Sequence, residues 1–590
     1  MSRKTKKHLA CGLALAMALG LTISPVSGQA AAKKLKVSKT KVSVTVKKKV
    51  TLKVKNARKK KVSAKMANKK IATVKVSKKK LIITGKKAGK TKLTVTVKGM
   101  KKCVVTVNVT KKNQRKNTNT AKAGSTKKQT TAATSTPRPT ATATPGNTAT
   151  ETPKVTDEPG QDRPDENAPD VINLKKLIAE QKKMGADVSE DIEHNESEYE
   201  WDGNKLVKIN WDFLELTESL DMSDFTNLKE LSLRFAKIKS LNVTKCVNLE
   251  DLDCEGNQIS NIDVTNCKKL KFFGCEENAI TKLDLTNCEE IEGLGCGKNQ
   301  LSELNITKCT KIKNLGCEEN QLSELDVTKL TKLSELDCSK NQIEKLDLTA
   351  CPKLGRLYCE ENAITKLDLR NCEEVGELYC SKNQISDLKL GKMDNLWRFE
   401  FDENKLESLS MSDYPKLEEV HCNHNKLTAV NIKNCPKMWY LTCGYNELKD
   451  IDVTAYDQLS CFSCSNNQIS SLDLTNCPKL ETLDCSGNLL SDLDISKQAD
   501  LWDLYCSNNQ LTSLDVSNCP KLYALDCKQN QISELDLSES KKLYYLWCES
   551  NNIKTLDLTQ IENKDRFTLT CDDDVTLIGY TKPENTTDSE

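Results

Sequence analysis

A 21-residue pattern occurs fifteen times in succession between Leu249 and Asn563. In the first copy, LEDLDCEGNQISNIDVTNCKK, apolar residues occupy positions 1, 4, 11, 14 and 16, and cysteines occupy positions 6 and 19. Position 9 is asparagine in every copy, from Asn257 to Asn551. A pattern this strict constrains the fold, because every copy must build the same small unit and bury its apolar side chains against its neighbours.

The period and the apolar spacing are typical of a leucine-rich-repeat solenoid, in which each repeat adds one short strand to a parallel sheet. Two less regular copies precede the fifteen, which predicts about 17 repeats over residues 206–563. The apolar faces of the terminal repeats have no neighbour and need a cover. We therefore predict an N-terminal cap over 171–205, helical in VINLKKLIAEQKKM, and a C-terminal cap and tail over 564–590.

Composition divides the part of the chain before the repeats. Residues 1–32 have a basic start, a short apolar stretch and small residues at the end, as a secretory signal peptide does. Residues 33–110 alternate apolar and polar residues and are rich in Val and Thr, which predicts a small all-β sandwich. Residues 111–170 are Thr/Pro-rich with almost nothing apolar to bury, which predicts a disordered linker. The fold class is therefore mainly β, with an irregular or short helical convex side to the solenoid. No apolar stretch is long enough to predict a transmembrane segment.

The predicted sandwich resembles the group 2 bacterial Ig-like family. The matching residues are IATV at 71–74, KAGKT at 87–91 and LTVTV at 93–97. The resemblance implies a spacer or adhesive module of a bacterial surface protein.

The charge is divided sharply between the two ends of the chain. Residues 1–150 contain 40 Lys and Arg and no Asp or Glu, which leaves 49 basic against 83 acidic residues in 151–590, a net charge of −34. Such a division suggests different partners for the two parts. The lysines either solubilise a stalk or bind a polyanion, and we predict contact with an anionic cell-wall polymer through residues 33–128. No aromatic residues are interleaved with them, so we expect no nucleic-acid partner.

Cysteines form two further columns of the repeat. Fourteen of them lie at position 6, from Cys254 to Cys548, and nine lie at position 19, from Cys246 to Cys519. So many cysteines in an exported chain would suggest disulfides, but side chains stacked in parallel suit that bond poorly, and apolar residues replace the cysteines elsewhere in the position 6 column. We predict buried free thiols that pack as small hydrophobes. A 21-residue spacing does not cluster metal ligands, so we predict no metal and no cofactor.

The repeat region 206–563 resembles the cysteine-ladder internalins, because its unit reads LxxLxCxxNxLxxLxL with cysteine in place of one core leucine. The resemblance implies a secreted or surface-displayed adhesin that binds its partner on the concave face. Members of that group end in an LPxTG wall-anchoring signal, whereas this chain ends in TKPENTTDSE. We therefore expect an extracellular monomer that associates with the cell surface without a covalent anchor.

A candidate binding surface follows from positions 3 and 5, which flank the buried leucine of each strand and point outward. Exposed Tyr, Trp and Arg are typical anchors of protein interfaces, and aromatic rings also suit sugars, although single aromatic residues on a long surface need no explanation. The predicted ligand-binding residues are Arg356, Tyr358, Tyr379, Trp397, Arg398, His421, Trp439, Tyr440, Trp502, Tyr505, Tyr545 and Trp547.

Aspartate recurs at position 15, for example at Asp263 and Asp473. Such a column would attract Ca²⁺, but the sequence favours a local role in which each Asp caps the turn into the following Thr or Ser.

We find no pattern that predicts catalysis; His421 and His424, near Glu419, are the nearest approach to one. The sequence therefore predicts a non-enzymatic, secreted or surface binding protein for a protein or glycan ligand on a host or microbial surface. The alternative is a structural component of the cell envelope that has no discrete ligand.

Overall fold

The computed structural model describes residues 36–37, 41–45, 49–55, 62–77, 80–97, 103–110 and 164–581. The chain forms two compact units, one within Met1–Thr152 and the other within Pro153–Glu590. The predicted signal peptide, the predicted linker up to residue 163 and the tail from 582 to 590 lie outside the described residues.

The first unit contains two four-stranded sheets, in the orders β1-β3-β6-β5 and β2-β8-β7-β4. Alternating apolar residues from both sheets, such as Leu52, Ile83, Leu93 and Val107, are buried in one common core, so the unit is a β-sandwich. The strands are β1 Lys36–Val37, β2 Lys41–Thr45, β3 Lys49–Lys55, β4 Val62–Met66, β5 Ala72–Ser77, β6 Lys80–Gly85, β7 Gly89–Val97 and β8 Cys103–Thr110.

The second unit begins with helix α1, Pro169–Lys183, in the segment where helical spacing was predicted. Proline at the start and Asp170 in the first turn favour a helix N-terminus, and Val171, Leu174 and Ile178 share the buried face. The backbone N–H of Leu206 donates to Asp170 Oδ2 at 2.9 Å, which joins the helix to the start of the first repeat. Helix α1 therefore contributes its apolar face to the core at the N-terminal end of the solenoid.

A continuous sheet runs the length of the solenoid. Strand β9 pairs antiparallel with β10, and from β10 onward every neighbouring pair is parallel, giving eighteen parallel strands. The regular strands occupy positions 3 to 5, and the residue at position 4 is buried in each. The strands are β9 Tyr199–Asp202, β10 Lys205–Asn210, β12 Glu230–Ser232, β14 Asp251–Asp253, β15 Phe272–Gly274, β16 Gly293–Gly295, β17 Asn314–Gly316, β18 Glu335–Asp337, β19 Arg356–Tyr358, β21 Glu377–Tyr379, β23 Arg398–Glu400, β25 Glu419–His421, β27 Tyr440–Thr442, β28 Cys461–Ser463, β29 Thr482–Asp484, β30 Asp503–Tyr505, β31 Ala524–Asp526, β32 Tyr545–Trp547 and β34 Thr568–Thr570.

Seventeen of these parallel strands belong to the predicted repeats, and the eighteenth, β34, lies in the predicted C-terminal cap. A short 3₁₀ helix, Lys564–Arg566, precedes β34. The predicted leucine-rich-repeat solenoid is confirmed.

A second set of strands lies on another flank of the solenoid, around positions 13 to 17 of the repeats. These strands pair only two by two. They are β11 Ser219–Asp221 with β13 Ser240–Asn242, β20 Lys366–Leu369 with β22 Asp387–Leu390, β24 Ser408–Ser412 with β26 Ala429–Lys433, and β33 Thr555–Asp557 with β35 Thr576–Ile578.

The longer flank strands form where positions 15 and 17 depart from the usual pair of residues. In most repeats the aspartate at position 15 caps a turn: Asp263 Oδ1 accepts the backbone N–H of Thr265 at 3.0 Å and its hydroxyl at 2.6 Å. The predicted capping role is thus confirmed. The pair Asp–Thr or Asp–Ser is missing at positions 15 and 17 of the four repeats in 354–437, and the strands of four or five residues, β20, β22, β24 and β26, occur there.

Both cysteine columns are buried, as predicted. None of the 25 cysteines from Cys246 to Cys571 takes part in a disulfide. Burial raises the thiol pKa along both columns, for example to about 12 for Cys246 and about 11 for Cys288. A thiol in such a site stays protonated and packs like a small apolar side chain.

The asparagine column links each repeat to the one before it. Asn320 Nδ2 donates to the carbonyl of Cys317 at 3.1 Å and to that of Cys296, one repeat earlier, at 3.0 Å. Its Oδ1 accepts the backbone N–H of Leu301 at 2.9 Å. One buried side chain therefore satisfies backbone groups that the short strands leave unpaired.

The residue before each asparagine, at position 8, has a left-handed backbone. Glycine supplies this conformation at Gly256 and Gly487, and larger residues adopt it elsewhere. From Glu277 to Glu403 this position alternates between Glu and Lys in successive repeats. Each of these lysines pairs with the glutamate one repeat earlier; Lys298 Nζ, for example, lies 2.9 Å from Glu277 Oε1.

The asparagine column predicts a specific stability loss. Asn383→Ala removes bonds to the carbonyls of Cys359 and Cys380 and to the N–H of Ile364, all buried. Since each buried polar group left unpaired costs about 1–3 kcal/mol, we expect the free energy of unfolding to fall by about 3 kcal/mol or more, measured by urea titration. The control is Asn371→Ala, which loses one exposed bond to Thr349 and should change stability by less than about 0.5 kcal/mol. Equal losses would contradict the structural role of the column.

The buried thiols predict inertness toward a water-soluble disulfide reagent. The test protein is the chain without residues 1–32 that carries Cys103→Ala, so that only the 25 cysteines from Cys246 to Cys571 remain. We expect negligible reaction at pH 8 in the folded protein and reaction of all 25 thiols after unfolding in urea without reductant. Fast stoichiometric labelling of the folded protein, or fewer thiols after unfolding, would contradict the buried reduced columns.

Candidate functional site

The face of the long sheet that points away from the core carries side chains from positions 3 and 5, with neighbours from positions 2 and 7; we call it the open face. Position 4 holds buried Leu, Phe or Val throughout, whereas positions 3 and 5 change from repeat to repeat. Three regions of the open face differ in chemistry: a glycine-floored trough, a central patch and a C-terminal patch.

The trough is a depression of about 450 Å³ in the early repeats. Its floor is formed by Gly274, Gly293, Gly295 and Gly316, and the ring of Phe272, half exposed, lies at its side. A Cβ atom at Gly295 would lie 1.8 Å from Glu276 Oε1, so the glycine leaves the space that this carboxylate fills. The other carboxylates that line the trough are those of Asp251, Asp253, Glu318, Glu335 and Asp337.

Burial raises the pKa of Glu276 and Glu318 in the trough. A basic side chain entering the trough would restore the stabilisation that these carboxylates lose on leaving water. The predicted site residues do not include this region. Glycine at position 5 of three consecutive repeats, with glutamate at position 7 of the first and third, is the sequence signal that marks it.

The central patch brings together several of the predicted residues. The rings of Tyr358 and Tyr379 stack with centroids 4.8 Å apart, and the Arg398 guanidinium lies 5.3 Å from the Tyr379 centroid. Arg398 also forms ion pairs with Glu400 and Glu419. This cationic side chain is therefore already neutralised and only a quarter exposed.

At the other end of the patch, the His421 ring lies 4.6 Å from that of Tyr440, and Trp439 meets Tyr440 edge to face. Tyr440 is 5% exposed, so it supports its neighbours and offers almost no surface to a ligand. His421 Nε2 is buried without a hydrogen-bond partner among the described residues.

Arg356 and Trp397 lie beside these rings. Arg356 is half exposed and lies between Glu335 and Glu377, at 3.5 and 3.4 Å, while Trp397 is partly buried at position 2. The side chains of the central patch that reach solvent are thus aromatic edges, tyrosine hydroxyls and one arginine.

Beyond the central patch the open face is closed by its own side chains. Thr442, Cys461, Ser463 and Thr482 are all buried. Asp484, 1% exposed, accepts bonds from the Ser463 hydroxyl and the Ser486 backbone N–H, and burial raises its pKa. This closed stretch separates the two sets of predicted residues.

The C-terminal patch is an aromatic stack. Trp502, Tyr523 and Tyr544 occupy position 2 of successive repeats, with centroids 5.1 and 5.2 Å apart, and the rings of Tyr545 and Trp547 are parallel at 5.4 Å. Trp502 is 42% exposed. The sequence also places Tyr523 and Tyr544 in this C-terminal aromatic set, because they share position 2 with Trp502.

Two partly buried carboxylates of the open face have strongly raised pKa values. Burial alone raises the pKa of Asp503, beside Tyr505 in β30, to about 7. Burial is also the main cause that raises the pKa of Glu360, at the central patch, to about 7, and Glu360 Oε2 has no hydrogen-bond partner among the described residues. Both groups therefore change charge near neutral pH.

No group of three or more His, Cys, Asp or Glu within the described ranges is arranged to hold a metal ion. Helix α1, like the rest of the described chain, offers no segment long and apolar enough to cross a membrane.

The comparisons with known proteins agree with the repeat geometry. The family model described as "Leucine Rich repeats (2 copies)" matches residues 457–497. No curated protein is similar enough to the sequence to count as a match. Leucine-rich repeats thus make up the regular part of the second unit, with cysteine at position 6 in fourteen of the fifteen copies and at position 19 in eight.

Several solved structures are similar to this chain. The functional domain of InlJ from Listeria monocytogenes, which includes a cysteine ladder, is 29% identical, with 59% of this chain and 69% of that chain covered and a TM-score of 0.40. A leucine-rich-repeat protein from Leptospira interrogans is 20% identical, covering 59% and 91%, with a TM-score of 0.46. The ectodomain of the receptor kinase GASSHO1/SCHENGEN3 from Arabidopsis thaliana, in complex with CASPARIAN STRIP INTEGRITY FACTOR 2, is 18% identical, covering 57% and 49%, with a TM-score of 0.43.

Asp503 predicts a pH-dependent stability. Its pKa of about 7 in the folded protein lies above the value of about 3.9 in an unfolded chain. The folded state therefore holds this proton more tightly, and the contribution of Asp503 to the free energy of unfolding is full below pH 4 and is lost as the pH rises through 7. We expect Asp503→Asn to raise the free energy of unfolding by about 2 kcal/mol at pH 8 and by almost nothing at pH 4. Exposed Asp492→Asn is the control and should show no such difference in urea titrations at the two pH values. A pH-independent effect of Asp503→Asn would contradict the assignment.

Proposed function

We propose that this chain is a secreted or cell-surface bacterial binding protein whose open face recognises a protein or glycan ligand. One observation carries the proposal: the core positions repeat almost without change, while positions 3 and 5 of the same strands vary along eighteen parallel strands. A rigid frame with a variable surface is how repeat proteins build extended recognition surfaces. We infer that it acts by binding and not by catalysis.

The central patch is the proposed site of contact, and the C-terminal patch is the alternative site. The faces of the stacked rings are partly covered by one another, so their edges and hydroxyl groups meet the ligand. The carboxylates that surround Arg356 and Arg398 give the central patch an acidic border. Aromatic anchors with a charged border are typical of protein interfaces, which favours a protein ligand over a glycan whose sugars would need open ring faces.

The first unit is proposed to hold the protein at an anionic cell envelope. Its described lysines, among them Lys65, Lys75, Lys90 and Lys92, are exposed on a sandwich whose sequence resembles the group 2 bacterial Ig-like family. Such contacts act through charge and weaken as salt rises. The predicted signal peptide over 1–32 supports export, and we propose an extracellular monomer.

The proposed site predicts a selective loss of binding. The full chain is applied to immobilised mucins, glycans and epithelial surface proteins, beside a variant carrying Tyr358→Ala and Tyr379→Ala. These two rings stack on each other and are partly exposed, so their removal deletes anchor surface and leaves the ion pairs of Arg398 in place. We expect affinity for the captured ligand to fall about 30-fold or more, as for loss of interface anchors of about 2 kcal/mol.

The matched control carries Tyr523→Ala and Tyr544→Ala, a second stacked tyrosine pair in the C-terminal patch. Circular dichroism and urea titration confirm that both variants remain folded. Loss of binding in the control variant alone would assign the binding site to the C-terminal patch. If neither variant weakens binding, the proposed site is wrong. If the chain binds nothing and assembles into ordered arrays, the result supports a structural component of the cell envelope instead.

A further inference from the structure

We propose that the cleft between β22 and β24, on the flank strands and not on the open face, accepts an extended peptide as an added strand. The cleft has a volume of about 540 Å³ and lies between the repeats 375–395 and 396–416. Leu388, Leu390 and Leu409 line it, together with the backbone around Gly391 and the serines of β24.

The two repeats are held apart by unusual residues at positions 17 and 19 of the 21-residue unit. Gly391 replaces the usual Thr or Ser at position 17, and a Cβ atom there would lie 2.5 Å from the carbonyl oxygen of Arg370. The glycine therefore lets β22 approach the preceding repeat closely. On the other side Tyr414 replaces the cysteine of position 19, and its hydroxyl donates to the Gly391 carbonyl at 3.0 Å. A close approach on one side and a large ring on the other leave space between β22 and β24.

This space exposes core residues of the repeat. Position 16 is buried in every regular repeat except at Leu390, which is partly exposed. Leu388, at position 14 of the same repeat, is partly exposed as well, whereas the same position in the flanking repeats, Leu367 and Leu409, is buried. Two neighbouring leucines thus present apolar surface to the cleft, and covering them would stabilise the complex by removing that surface from water.

The cleft is also bordered by two strand edges. Strand β22 pairs with β20 and β24 pairs with β26, and no backbone hydrogen bond joins β22 to β24 in the described part of the chain. An extended strand offers backbone donors and acceptors along both edges, and those on the inner edges of β22 and β24 face each other across the cleft. A peptide strand placed there would complete a five-stranded ladder, as in β-strand addition.

The lining defines the peptide. The hydroxyl groups of Ser408, Ser410 and Ser412 belong to β24, and Lys392, at the end of the cleft, is paired with Asp394 at 3.2 Å. Asp413, which also lines the cleft, accepts a hydrogen bond from Asn434 Nδ2 at 2.8 Å, and the rest of the lining is leucines, serines and backbone. The cleft therefore fits an uncharged segment that alternates apolar with hydroxyl-bearing residues, because successive side chains of a strand point to opposite sides.

The test uses a fluorescently labelled peptide of alternating Val and Thr, about six residues long, the usual length of a strand. Fluorescence anisotropy with the full chain should show saturable binding. The same peptide methylated at every second backbone nitrogen should not bind, because it keeps the side chains but loses donors to the strand edges. Hydrogen exchange should show new protection of amides in β22 and β24 when the unmethylated peptide is present, which tests the site without any variant.

Leu388→Gln should lower the affinity for the peptide at least about tenfold, which is a loss of about 1.4 kcal/mol of binding free energy. The matched control is Leu472→Gln, a partly exposed leucine at the same position 14 of a repeat outside the cleft, which should leave affinity unchanged. Absence of saturable binding, equal binding of the methylated peptide, or equal loss in both variants overturns the proposal. A dimer of the chain that Leu388→Gln dissociates, without peptide binding, would show a second copy as the occupant and also overturns it.

Discussion

The asparagine at position 9 is the interaction on which the solenoid depends. Three-residue strands bond to their neighbours over a short distance, and the chain then turns away from the sheet with backbone groups still unpaired. Each asparagine satisfies groups in its own repeat and in the one before, from inside the core. It also fixes the turn that begins with a left-handed residue at position 8, a conformation that costs non-glycine residues about 1–2 kcal/mol. Without this side chain, neither the turn nor the stacking of repeats would be specified.

The fold was predictable because its determinants are local and repeated. Helix α1, the buried cysteines and the aspartate-capped turns each follow from a residue type at a fixed position of the repeat. The surface was less predictable. Alternation on a strand placed Tyr440 outward, but its burial depends on the sizes of Trp439 and His421 beside it. The cleft at Leu390 likewise arises from the combined effect of Gly391 and Tyr414 in successive repeats. The residue type at a single position of the repeat does not predict such an effect.

The polar side chains of the open face differ in how completely they are paired with neighbouring groups. Arg398 is paired with two carboxylates and Asp484 is enclosed by serines, so neither needs a ligand for stability. Glu360 and Asp503 are in the opposite situation, because burial raises their pKa values to about 7. A binding surface with such groups offers hydrogen-bond donors in weakly acidic surroundings and negative charge in weakly alkaline ones. For the proposed function, the charge that the open face presents would therefore change with pH around neutrality.

The alternation of Glu and Lys at position 8 has a consequence for assembly of the chain. Fifteen nearly identical repeats present the same leucines, cysteines and asparagines, so apolar packing alone would tolerate a repeat that docks against the wrong neighbour. Between Glu277 and Glu403 the alternating charges distinguish odd from even copies. A shift by one repeat would place Glu beside Glu and Lys beside Lys, whereas the native order places Lys298 on Glu277 and Lys340 on Glu319. The backbone of this segment repeats every 21 residues, but its charge pattern at position 8 repeats every 42, so the charges distinguish a repeat from its immediate neighbours.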